Sequence, residues 1–201
     1  MSYPLVSIGV DPDVHNCAVA VVKQYECGTI GFAVQVIREK RGKSRDASIA
    51  MLTDNVVFDT LRLTAVADVL AVEGQDARYT GSTCARPQDI VALALVSGAC
   101  LATIPARLKL CPLPREWKAT TRKDIKQRRI LDRLEVPYTM KGGSVPYEQA
   151  SEGSKKKYYP VPDNFEQYVI GDAKVNAGDW ADLTDALGLA VWGLEKLRYS
   201  T

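Results

Sequence analysis

Leu5-Val6-Ser7-Ile8-Gly9-Val10, closed by Asp11-Pro12-Asp13, is the run on which the fold turns. Its β-rich residues stop at turn formers, and the same alternation returns in Asn16 to Val22 and Gly31 to Ile37, with Cys27-Gly28-Thr29 between those two. That pattern predicts three antiparallel strands in succession. Past the charged link Arg38 to Arg45, apolar residues at Ile49, Leu52, Val56, Leu61 and Leu63 approach helical spacing, so a helix, continuous or broken, is expected between Asp46 and Val69. The apolar run Val69 to Val72 then reads as a buried strand that ends on an acid, Glu73-Gly74.

Further along, Arg86 to Ile104 reads as a helix apolar nearly all round, with small residues at Ala92, Ala94, Ser97, Gly98, Ala99 and Ala102, so more than one face must be buried. Lys109 to Pro112 is expected to add a last strand. Pro114 to Leu134 gives one or two basic helices with Thr120 or Thr121 as N-cap, and Gly178 to Arg198 a final helix. Between Glu135 and Gly178 the pattern dissolves into Gly, Pro, Ser, Lys and Tyr, which predicts a long mobile loop over 135–178.

The 201 residues, 46% of them hydrophobic, suffice for one well-filled core, and a single domain over 1–201 is expected. MSYPLVSIGV lacks the basic and long apolar regions of a secretory signal, and no apolar run reaches the roughly 18 to 20 residues of a bilayer span, so a soluble, cytoplasmic protein with no membrane partner is expected. The five cysteines are scattered and form no CxxC pair, as expected of mostly buried thiols in a reducing compartment. His15 is the sole histidine, which leaves little room for a Ser-His-Asp or Cys-His mechanism. Arg41-Gly42-Lys43-Ser44 resembles the end of a phosphate-binding loop, but Ile37 stands where such a loop needs glycine.

Net charge is only +2, yet ten basic residues fall between Arg107 and Arg133 against Glu116, Asp124 and Asp132. Such an excess suits a polyanion, although a lone charge run is more often a solvated helix face. Four acids bear on the choice. Asp11 and Glu73 end strands, and Asp182 and Asp185, three apart, share one helical face that also carries apolar residues. Each has an ordinary reading as a turn, strand-end or helix-dipole residue. Gathered at one point, they would repel unless a cation joined them, and hard oxygen donors of that kind hold magnesium or manganese.

The ordered motifs resemble the RuvC-type Holliday-junction resolvases of the ribonuclease H-like superfamily, and more closely the phage-encoded branch. Ser7-Ile8-Gly9-Val10-Asp11-Pro12 is similar to that family's first strand with its leading acid, and Ala71-Val72-Glu73-Gly74-Gln75 to its second acidic motif. Pro114-Arg115-Glu116-Trp117-Lys118 resembles the stretch with a DNA-contacting lysine, Lys126 falls near a second such lysine, and Asp182-Leu183-Thr184-Asp185-Ala186-Leu187 resembles the closing Asp-x-x-Asp-Ala-Leu motif.

The resemblance implies an α/β, ribonuclease H-like fold: a mixed five-stranded sheet, three antiparallel strands and then parallel ones, flanked by helices. It implies a Mg2+-dependent endodeoxyribonuclease with two ions per site, Mn2+ as a substitute, and Asp11, Glu73, Asp182 and Asp185 as catalytic metal ligands. Branched DNA is the implied partner, met by Arg78, Tyr79, Arg115, Lys118, Arg122, Lys123 and Lys126, and for a phage-encoded protein the place is the bacterial host cytoplasm. Two symmetric nicks call for a homodimer, with the helix carrying Ala92 to Ala102 as its interface or, alternatively, a core helix. Where bacterial members carry a Phe that wedges into the junction, this chain has Gln75-Asp76-Ala77-Arg78-Tyr79-Thr80, in which Tyr79 either stacks on an unpaired base or is an ordinary loop aromatic. A nuclease for RNA–DNA hybrids and a non-catalytic junction-binding protein are the competing readings.

Overall fold

The computed structural model describes residues 3–13, 16–38, 44–64, 66–74, 87–118, 121–142, 158–171, 174–176 and 179–199. Strands β1 (Leu5–Asp11), β2 (Asn16–Gln24) and β3 (Ile30–Arg38) form the expected antiparallel meander. Helix α1 (Arg45–Leu63) leads into β4 (Ala67–Val72), and α2 (Pro87–Thr103) into β5 (Ala106–Leu110). β4 and β5 run parallel to β1, giving one mixed sheet in the order β3-β2-β1-β4-β5. The expected sheet is therefore the observed one. The helix read to Val69 stops at Leu63 instead, because Ala67, Val69 and Leu70 pair in β4 rather than continue a turn.

Period-two alternation sorts the side chains of the sheet between two apolar layers. Cys17, Val19 and Val21 of β2, with Ile8 and Val10 of β1, pack with Leu52 and Val56 of α1 and Val96 and Cys100 of α2. Ala18, Ala20 and Val22 point the other way, into a cluster with Trp180, Leu183, Leu187 and Ala190 of the final helix, α5 (Asp179–Arg198). With both faces covered, β2 reads as an uninterrupted apolar run, as a central strand should. On the α5 side the sheet presents small residues, and α5 comes in close: a Cβ built on Gly193 would lie 2.9 Å from Val69 Cγ1 and 3.1 Å from Ser7 Oγ.

Two basic helices, α3 (Pro114–Lys118) and α4 (Lys123–Arg133), follow β5 as expected. The N-cap of α4 is Arg122 rather than a threonine, and no side chain caps it; Arg122 spends its guanidinium on Asp124 in two 3.1 Å bonds. The span 135–178 departs from the loop expectation. Its described residues include β6 (Tyr138–Gly142) and β7 (Tyr158–Pro162), paired antiparallel, and a 3-10 turn (Phe165–Tyr168). Pro160 and Pro162 mask the strand signature of β7, and its partner is distant in sequence, so only tertiary packing of Val136 and Val161 against the α5 layer reveals the pair. Among the described cysteines, Cys17 and Cys100 are buried as expected, but Cys27 and Cys111 are exposed. No described helix is long and apolar enough to cross a membrane.

Candidate active site

The register of β1 against β4 brings the first two acids together. Ser7 faces Val69 and Gly9 faces Ala71, and past the last paired residues the Glu73 amide still donates to the Val10 carbonyl at 3.0 Å. Asp11 shares the parity of Ser7 and Gly9, and Glu73 that of Val69 and Ala71, so both carboxylates leave the sheet on the α5 side. There α5 supplies Asp185, only 1% exposed, and Asp182, half exposed. Both fall on the face that α5 presses toward the strand ends.

The four acids do not meet bare. Lys118 Nζ sits 2.8 Å from Glu73 Oε2 and 3.0 Å from Asp185 Oδ2, and Lys123 Nζ lies 3.0 Å from the same Asp185 oxygen and 3.5 Å from Asp182 Oδ1. Trp117 Nε1 donates to Glu73 Oε2 at 3.0 Å, and Gln127 Nε2 to Asp185 Oδ1 at 3.1 Å and the Ala181 carbonyl at 2.7 Å. Lysines that the sequence reading assigns to DNA thus stand among the carboxylates. Trp117 and Gln127, which it passes over, aim them. Gln127 was findable, because it lies four residues after Lys123 and hence on the same face of α4.

Electrostatics ties Asp11 into the cluster. Burial, and then the charge of Glu73, hold its carboxyl well above the usual carboxylate range; Asp185 and Asp182 add to the rise and Lys118 opposes it. Burial likewise lifts Asp182, with Lys123 opposing and Asp185 adding. Burial works against the Lys118 ammonium, but Asp11, Asp185 and Glu73 together carry it above its ordinary value. Lys126 is the exception. Its ammonium donates to the Trp117 carbonyl and lies 3.7 Å from the centre of the Trp117 ring, and burial pushes it down to about 8, Lys118 adding to the fall while Asp185 and Glu73 resist it.

Among the described residues no three acidic, histidine or cysteine side chains are gathered closely enough to hold a metal ion as they stand, since ammonium groups lie between them. The donor set nevertheless fits a divalent cation. Asp185 Oδ2 is buried between the ammonium groups of Lys118 and Lys123, the place a cation would take, and the acids around Asp11 carry the mutual repulsion that it would relieve. Of the remaining expected contacts, Arg115 is exposed on α3 and Arg122 is exposed but paired with Asp124. Arg78, Tyr79, His15, Cys84 and the whole 75–86 stretch lie outside the described residues.

Sheet order, strand directions and the placement of α5 over β1 give the chain a ribonuclease H-like fold. The solved structures it is similar to include Thermus thermophilus RuvC in complex with a Holliday junction substrate, at TM-score 0.58 and 14% identity over 98% of each chain. A second Thermus thermophilus RuvC structure aligns at TM-score 0.58 and 15% identity, again over 98% of each chain. The yeast mitochondrial Holliday junction resolvase Ydc2 aligns at TM-score 0.47 and 12% identity, over 96% of this chain and 82% of that one. No protein-family model matches the sequence, and no curated protein matches it.

Proposed function

We propose that this protein is a Holliday-junction resolvase: a structure-selective DNA endonuclease that nicks branched DNA by metal-assisted phosphodiester hydrolysis. The observation that carries the reading is the electrostatic coupling of Asp11 to Glu73, Asp182 and Asp185, with Lys118 and Lys123 bridging those acids and Lys126 beside them. Those four carboxylates would hold two Mg2+ ions, or Mn2+ in their place, which supply a water of lowered pKa and stabilise the leaving oxygen. An incoming phosphate gives Lys118 and Lys123 an alternative partner, so their withdrawal from Glu73 and Asp185 frees the acid oxygens as the scissile group arrives. Glu73 and Asp185 keep their aim through Trp117 and Gln127.

The reading is tested by cleavage of four-way junction, fork, duplex and RNA–DNA hybrid substrates with Mg2+ or Mn2+. Four-way junctions are expected to be cut in preference. Equal or better hybrid cleavage would replace the resolvase with a hybrid nuclease, and junction binding without cleavage under any divalent ion would make it a binding protein only.

Paired nicks need two sites, and a homodimer provides them. α2 buries one face through Ala92, Val96 and Cys100 and leaves Val91 and Leu95, each 60% exposed, on the other, beside the exposed Ala94, Gly98 and Ala102. That apolar, small-residue face supports α2 as both core helix and dimer surface. Sedimentation should give a dimer that Leu95→Glu converts to monomer; a wild-type monomer on DNA would sink it.

Lys126 gives the reading a pH signature. The ammonium is charged below its value of about 8 and neutral above, so its phosphate contact is present at pH 7 and lost as pH rises through 8. Junction affinity should fall by about tenfold between pH 7 and 9, the scale of one charge-assisted bond. Lys126→Arg should flatten that profile. An unchanged profile in the variant would remove Lys126 from the interface.

A further inference from the structure

Beside the acid cluster, between α3, α4 and α5, opens a cavity of about 300 Å3. Trp117 and Lys118 belong to both places: they touch Glu73 on one side and line the cavity on the other. Its walls carry Lys118, Lys126, Arg129 and Arg133 against a single acid, Glu195, which Arg133 already pairs. Among the described residues Arg129 makes no ion pair, and it is exposed. Apart from Thr121 the remaining lining is apolar, from Ile130, Gly188 and Val191, with the half-buried indole of Trp192 at one wall and Lys196 Nζ 5.2 Å from that ring's centre.

Lys118 and Arg133 already have acid partners, which leaves Lys126 and Arg129 to call for an anion, and a flat indole beside a largely apolar floor calls for a flat, apolar partner with it. A nucleotide carries both. The volume is at the small end of ligand pockets, enough for one nucleotide and too small for a base pair. We infer that this cavity is a subsite for one unpaired nucleotide of the cleaved strand, its base stacked on Trp192 and its phosphate held by Lys126 and Arg129. The inference rests on the nuclease reading and deepens it: the substrate is then a branch point that can release a base next to the scissile phosphate. Unstacking is cheapest where strands exchange, so the subsite makes the site selective for branched over regular duplex DNA.

The test uses full-length protein in EDTA, where binding is read without cleavage, and four-way junctions carrying 2-aminopurine at each nucleotide flanking the crossover. One labelled position is expected to be quenched on binding by wild type and by Trp192→Phe, but not by Trp192→Ala, which should also bind about tenfold more weakly, as loss of one stacked base does. Arg129→Gln should keep the quenching and lower the slope of log affinity against log salt by about one contact. An abasic nucleotide at the quenched position should erase the difference in affinity between wild type and the Trp192→Ala variant. Equal quenching and affinity in wild type and Trp192→Ala overturn the subsite while leaving junction cleavage standing. If no DNA is bound, both the subsite and the nuclease reading fall.

Discussion

Asp11→Asn is expected to abolish junction cleavage while leaving junction binding intact and making the protein more stable. The substitution keeps the size of the side chain and removes the charge that Glu73, Asp185 and Asp182 all oppose. Loss of a single catalytic group typically costs a factor of about 10^3 or more in turnover, and a comparable fall is expected here with Mg2+ or Mn2+.

The stability effect follows from the raised carboxyl. A folded-state value above the unfolded one means that the folded chain holds the proton more tightly. Asp11 therefore costs nothing below the unfolded value of about 3.9, costs more as pH rises toward the folded value, and exacts its full penalty above it. Asn carries no such penalty. At neutral pH in EDTA, thermal unfolding should show a gain of about 0.5–2 kcal/mol, the usual range for a stabilising change, and the gap should close as pH falls toward about 4. Mg2+ should stabilise wild type and do little for the variant. Undiminished cutting by Asp11→Asn would remove Asp11 from the site, and a variant less stable than wild type would contradict the half-buried, repelled carboxyl.

The second large effect is structural. Gly9 lies in β1 directly under α5, where an added Cβ would run into the Ala186 carbonyl oxygen and sit 2.6 Å from the Ala190 amide nitrogen. Both are helix backbone, so no rotamer change can make room. Gly9→Ala must lift α5 off the sheet, taking Asp182 and Asp185 from Asp11. A loss of more than about 3 kcal/mol is expected in urea unfolding, beyond ordinary overpacking, with cleavage lost in whatever folds. Gly31→Ala is the control: its Cβ would make only an ordinary 3.9 Å contact with Tyr25 Cε2, and within β3 it should gain about 0.5–1 kcal/mol. A tolerated Gly9→Ala would show that α5 does not pack as close as described.

Much of this architecture is local in origin and so was open to reading. The meander, β4 ending at Glu73 and the α5 face shared by Asp182 and Asp185 follow from alternation, turn chemistry and helical spacing, each complete within about ten to twenty residues. Parity alone sends Asp11 and Glu73 to one side of the sheet once β1 and β4 are known to be neighbours. The β6–β7 pair was hidden because its stabilisation comes from a partner strand and a helix layer far away in sequence, with two prolines blurring the pattern.

Reading along the chain is enough to establish which acids exist, that two end strands and two share a helical turn, and that a basic segment follows β5. What those charges do to one another is settled in three dimensions. Only packing places Lys118 and Lys123 between the carboxylates, turns Trp117 and Gln127 into their orienting donors, and sets the half-buried Asp11 among like charges. A pattern along the chain specifies the face on which a side chain lies. Charge coupling, by contrast, depends on separations of a few ångströms and on burial, and both are set by how closely α5 can approach the sheet over Gly9.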